Sequence, residues 1–161
     1  MLRTRPSTII GRAFTLVEVL IVVVILGILA AVVVPSFANA TEPSRQAAFI
    51  TSMKSFADAI QLYQARNGDF PPDGNSGTIP AGLESYIAPD DWDNITPIGG
   101  SWDTEDTPIG YGVGVHFDGR GETRDDAFML EVDDMFDDGN LATGSFQTTG
   151  ADRYYIIINP N

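Results

Sequence analysis

Two patterns of apolar residues divide the chain. From Val19 to Val34 no residue ionises, and the run closes at Pro35. With Phe14–Val17 in front it reaches the roughly 20 helical residues that cross a bilayer core. One charge, Glu18, lies near its start. A carboxylate there costs a few kcal/mol and needs a partner. Pro35 lacks an N–H and predicts a kink, and Thr41-Glu42-Pro43-Ser44 predicts a second break or restart. From Ser44 the pattern becomes amphipathic. Phe49, Met53, Phe56, Ile60 and Tyr63 recur at steps of four and three, with Ala57 and Leu62 beside them. This predicts a helix whose stripe packs on its own domain rather than in a coiled-coil seam. Gly68 after Asn67 is its stop.

Residues 68–107 are rich in Gly, Pro and Asp and read as a loop-rich connection. Leu83, Tyr86 and Ile87 allow one helical turn. Trp92, Ile95, Ile98 and Trp102 are expected to pin the connection to the core. Ile109, Tyr111, Val113, Val115 and Phe117 then alternate with Gly110, Gly112, Gly114 and His116. That is a strand with one apolar face; its glycine face is expected to admit a close neighbour, such as the long helix. Phe128, Val132, Met135 and Phe136 predict a short helix, begun by Asp125 or Asp126 and stopped by Gly139. Ser145–Gln147 and Tyr154–Ile158 predict two closing strands around a turn at 149–152.

Charge sharpens this picture. Three of the nine Lys/Arg (Arg3, Arg5, Arg12) precede the apolar run, and none of the 22 acidic residues does. The basic start predicts a cytoplasmic N-terminus and places the acidic remainder across the membrane. A head so acidic excludes nucleic acid as its partner. There is no cysteine, hence no disulfide, thiolate metal site or thiol nucleophile. Ala38-Asn39-Ala40 fits a small-x-small cleavage site, so a signal peptide cut after Ala40 is one alternative.

The residues before the run point elsewhere. Gly11-Arg12-Ala13-Phe14-Thr15-Leu16-Val17-Glu18 resembles the prepilin motif of type IV pilins and type II secretion pseudopilins. The resemblance implies a leader, 1–13, cut between Ala13 and Phe14 by prepilin peptidase, and an N-methylated Phe14. Where the family usually has Gly before the cut, this chain has Ala13. The resemblance also implies that Glu18 of one subunit meets the Phe14 amine of another and so sets register in a helical filament. Gly27 and Pro35 fall at the family's helix glycine and kinking proline. Tyr63, Asn67-Gly68-Asp69-Phe70-Pro71 and Gly82-Leu83 resemble, more loosely, the major pseudopilins of type II secretion.

Candidate chemistry is sparse. No Ser/His/Asp spacing, phosphate loop or dinucleotide fingerprint is present, and no enzyme is expected. His116 reads as a surface or hydrogen-bonded residue. Asp133, Asp134, Asp137 and Asp138, with Asn140, form the single metal-like group. Calcium is the ion that such oxygens suit, and the resemblance adds that major pseudopilins often hold one calcium in this part of the head. The spacing is not that of an EF-hand, and a solvated helix face is the plainer reading. No cofactor is otherwise required.

The expectation is an α+β, pilin-like fold: a long N-terminal helix on a small antiparallel sheet. Residues 14–35 would be the transmembrane and filament-core helix, 36–67 its amphipathic continuation, 68–107 the connection and 108–161 the sheet head. By resemblance the protein is a major-pseudopilin-like filament subunit. It would sit in the bacterial inner membrane with its head in the periplasm, and would work with an assembly platform and minor pseudopilins. Two alternatives stay open: a type IV pilus pilin, and a single-span tethered binding domain that forms no filament.

Overall fold

The computed structural model describes residues 15–160, those at 29–40 and 160 by backbone alone. The chain divides into two units, 1–40 and 41–161. Helix α1 (Leu16–Asn67) contributes to both. Its assignment is unbroken at Pro43, so the break expected at 41–44 does not occur. Proline removes one N–H there, and the flanking side chains hold the turn. Glu42 pairs with Arg45 (3.4 Å), one turn on, and with Arg124 (3.0 Å). Among the described residues no helix is long and apolar enough to cross a membrane. The apolar run continues through Val34, where side chains lie outside the described set.

The second unit is a sheet covered on one face by α1. Strands β1 (Ser101–Thr107), β2 (Gly110–His116), β3 (Phe146–Gly150) and β4 (Arg153–Pro160) form an antiparallel sheet in the order β1-β2-β4-β3. The expected stripe is the core face of α1, since Phe49, Met53, Phe56, Ala57 and Ile60 are buried. Phe49 stacks on Trp102 at 5.3 Å, and Phe56 meets the same ring edge-on at 4.8 Å. Leu62 stays exposed and lies outside the stripe.

Strand β1 falls inside the expected connection. Its Ser-Trp-Asp-Thr-Glu-Asp-Thr has no apolar alternation, because only Trp102 supplies a large apolar group to the core. Trp92, Ile98 and Trp102 pin the connection as expected, whereas Ile95 is exposed. The turn at Leu83–Ser85 is a 3-10 helix with Leu83 buried, and α2 (Pro89–Asp93) carries Trp92 inward.

The glycine face of β2 is approached by β4, not by α1. A Cβ on Gly114 would lie 1.9 Å from the Tyr154 carbonyl oxygen, and one on Gly112 would lie 2.8 Å from the Tyr155 Cβ. The helix takes the opposite face, where Val113 and Val115 are buried. Helix α3 (Asp126–Asp134) starts at Asp125, whose carboxylate accepts from the Phe128 N–H. Met129 and Val132 are its buried residues, and Met135, expected on the apolar face, is exposed.

Candidate functional site

Two places were singled out in the sequence: the start of α1 and the acidic group after α3. Ala13 and Phe14 lie outside the described residues. Glu18 lies within them and already has a partner. Its Oε2 accepts from the Thr15 N–H and from the Thr15 hydroxyl, both at 2.8 Å, while the Glu18 N–H donates to Thr15 Oγ1 at 3.2 Å. This is a reciprocal capping box, in which residues three apart satisfy each other's free groups at a helix start. The signal was in the sequence, as Thr15-Leu16-Val17-Glu18 fits Ser/Thr-x-x-Glu before an apolar run. It gives Glu18 a partner within its own chain, beside the amine that the resemblance implies. Within one chain the carboxylate is held by hydrogen bonds, and a neighbour's amine would have to compete with them.

The helix around Glu18 has its apolar side chains exposed, among them Leu16, Val19, Leu20 and Val23. A Cβ on Gly27 would meet nothing within 4 Å. Among the described residues nothing therefore requires glycine there. The helix assignment also runs through Pro35, whose side chain lies outside the described set.

The acidic group is built by the end of α3. The helix stops at Asp134, and the next turn tightens as Phe136 and Asp137 both donate to the Asp133 carbonyl, at 3.0 and 2.8 Å. Asp137 and Asp138 thus leave the helical face. Each of Asp133, Asp137 and Asp138 offers a carboxylate oxygen within 4.8 Å of the others. The four aspartates do not lie on one helix face, because the helix ends at Asp134. Asp134 stays exposed, outside this group.

The members of the trio differ. Asp133 is 0 % exposed, and neither of its carboxylate oxygens has a hydrogen-bond partner. Burial raises its pKa, and the carboxylates of Asp137, Asp138 and Asp134 raise it further. Asp137 Oδ2 accepts from the N–H groups of Ser145 (2.5 Å) and Phe146 (2.8 Å), which ties the loop before β3 to the end of α3. Asp138 accepts from the Asn140 N–H (2.9 Å) and the Thr143 hydroxyl (2.7 Å). The Asn140 side-chain carbonyl accepts from the Ala142 N–H at 3.2 Å. Gly144, at φ +74°, leaves room for this, since a Cβ there would meet Asp137 Oδ2 at 2.2 Å. A buried, unpartnered carboxylate is expensive. With two more carboxylates beside it, it fits a hard cation with oxygen ligands.

A polar cluster that the sequence reading missed covers the other face of the sheet. Asp103 is 2 % exposed and accepts from the Tyr155 hydroxyl at 2.7 Å and from Arg153 at 3.2 Å. Arg153 also pairs with Glu105. His116 is hydrogen-bonded as expected: its Nδ1 lies 2.6 Å from Ser76 Oγ, and its Nε2 lies 3.5 Å from Asp152. Every member of this cluster has a structural partner in the head.

The described residues form a helix with an exposed apolar first part, a packed head and one candidate cation loop. Comparison with known proteins agrees. Residues 12–34 match the family model described as the prokaryotic N-terminal methylation motif. The fold is similar to that of the major type IV pilin of Clostridium difficile, with a TM-score of 0.51, 18 % identity, and coverage of 74 % of this chain and 97 % of that one. The chain thus carries the prokaryotic N-terminal methylation motif and has an α+β fold like that of a type IV pilin. The curated proteins it is similar to are type II secretion system core protein G of several bacteria. The Vibrio cholerae protein is 38 % identical over 74 residues (46 % of this chain, 47 % of that one). The Pseudomonas aeruginosa protein is 40 % identical over 74 residues (46 % and 48 %), and the Escherichia coli protein 32 % over 76 residues (47 % and 48 %). The chain spans about half the length of the curated relatives it matches. None of these names describes an enzyme.

Proposed function

We propose that this chain is a major-pseudopilin-like subunit of a type II protein secretion system. Its leader, 1–13, is removed by prepilin peptidase between Ala13 and Phe14, and Phe14 is methylated. The mature helix waits as a single pass in the inner membrane, N-terminus cytoplasmic and head periplasmic. It then enters a helical filament on an assembly platform together with minor pseudopilins. The observation that carries this reading is the methylation motif over 12–34 with Glu18 as the single acid in an apolar run. In the filament Glu18 exchanges its bonds to Thr15 for the Phe14 amine of a neighbour. An ion pair with that amine offsets the cost of a carboxylate in hydrocarbon. Gly27 and Pro35 are the positions where the helix bends or opens.

Calcium is part of the proposal. Asp133, Asp137 and Asp138 would hold it, with carbonyl oxygens and water completing six to eight ligands. The orphaned carboxylate of Asp133 supports this. Bound calcium would fix the loop before β3 against α3, which Asp137 already joins.

Mass spectrometry of the protein from its own cells tests the processing. The expected mature chain begins at Phe14 and carries one extra methyl group. A chain that keeps Met1 would favour the tethered, non-filament reading; one that starts at Thr41 would favour a signal peptide. A type IV pilus is the runner-up, and deletion of the gene separates the two. Loss of an exported protein with surface fibres intact fits secretion; loss of surface fibres alone fits a pilus.

A further inference from the structure

We propose that each head takes Lys54 of a neighbouring copy into a groove beside α1, a reading that rests on the filament role proposed above. The groove runs between α1 and the segment that follows α2, and its volume is about 440 Å³. Ser52 and Ser55 supply its helix wall, Asp91, Asn94 and Ile95 the facing wall, and Trp102 lines it as well. Ile95 is exposed at this groove, although it lies in a connection otherwise pinned to the core. Asp91 is exposed too, and among the described residues no base pairs with it. Asn94 Nδ2 donates to the Asp90 carbonyl, which leaves the Asn94 side-chain oxygen as an acceptor.

Lys54 is the sole lysine of the chain. It is exposed, and among the described residues no carboxylate pairs with it. Its Nζ lies 4.6 Å from the centre of the Phe136 ring, just beyond α3. An α-helix turns about 100° per residue, so Lys54 lies about 100° around α1 from Ser55 and about 160° from Ser52. Base and groove thus occupy different flanks of α1, one beside the end of α3 and one beside α2. Arg66, which also lacks a carboxylate partner and lies 5.6 Å from the Tyr86 ring, is about 20° around from Ser55 and so on the groove's own flank. Two different, complementary flanks make a head-to-tail contact that repeats from copy to copy into a helical filament, whereas a contact between like flanks closes as a dimer. The chemistry fits as well. An ammonium has three donors and no acceptor, and Asp91, the Asn94 side-chain oxygen and the Ser55 hydroxyl are acceptors for it. The apolar stem of the lysine would lie along Ile95 and Trp102, as such stems cover apolar surface while the charged head reaches polar groups. The ring contact with Phe136 is of the weak, solvent-exposed kind and gives way to an ion pair.

The test uses filaments of the mature full chain, collected from cells that overproduce it together with an assembly machine. A water-soluble carbodiimide joins an amine to a carboxylate that touches it, and Lys54 is the one lysine it can use. The treated filaments should run as a ladder of linked copies, and mass spectrometry of the digested ladder should find Lys54 joined to Asp91. Lys54→Asp and Asp91→Lys should each lower the yield of polymer about tenfold, because each sets like charges against each other. The double exchange, Lys54→Asp with Asp91→Lys, should restore it. Circular dichroism of each purified chain keeps folding separate from assembly. A native filament with no link between copies at Lys54, or a double exchange no better than the single ones, would overturn this contact and leave the filament reading standing. Absence of any polymer from the native chain would overturn both.

Discussion

Asp133 is the residue whose surroundings carry the plainest physical demand. Its carboxyl is buried without a partner, and burial with nearby acids raises its pKa. An acid whose pKa is raised by folding stabilises the protein below its unfolded pKa, about 3.9, and loses that contribution as pH rises through the folded value. The metal-free protein should therefore melt at a lower temperature at pH 7 than at mildly acid pH, as far as this residue decides it. Asp133→Asn should remove that slope and raise the melting temperature in a chelator at neutral pH. Calcium at a hundredfold excess over its Kd should add about 2.7 kcal/mol to the native chain and almost nothing to the variant. Thermal unfolding with and without chelator reads all three. At the other end of the chain, Thr15 and Glu18 cap α1 reciprocally. Thr15→Val should cost about 1 kcal/mol of helix stability, seen as faster amide exchange in the first turn. Glu18→Ala should lose that cap and assembly together.

At the level of elements, periodicity was legible where one face is apolar and the other is not. The stripe of α1 and the strand at 109–117 announced themselves in this way. Strand β1 did not, because an edge strand made of Ser, Asp, Thr and Glu gives no alternation to read. Its acids also discourage edge-to-edge pairing, a common protection of exposed strands. The partner of the glycine face was misread for a related reason. Sequence shows that β2 leaves room; only topology, with β4 beside β2, shows what uses it. Gly114→Ala tests that placement. A Cβ would collide with the β4 backbone, and overpacking of this kind costs about 1–3 kcal/mol, measurable by urea unfolding. Phe49→Ala removes the ring stacked on Trp102 and should cost about 3–5 kcal/mol in the same assay.

The whole molecule joins an apolar helix start to a strongly acidic head. The first feature, with its motif, was legible because it is written in contiguous residues, 12–34. The candidate cation loop was legible in composition and not in geometry. Nothing in the spacing told that α3 would stop at Asp134 and turn Asp137 and Asp138 back towards Asp133. Long-range pairs such as Tyr155 with Asp103 were not legible at all, since they join distant strands.

The central claim is that Phe14 of one copy meets Glu18 of the next. The chain has no cysteine, so Leu16→Cys with Leu20→Cys gives cross-links only where they are engineered. These positions flank the proposed contact with the same four-residue offset. In cells with an active assembly machine, oxidation should yield a ladder of linked copies, and adding Glu18→Ala should abolish it. A ladder that survives the loss of Glu18 would contradict the account.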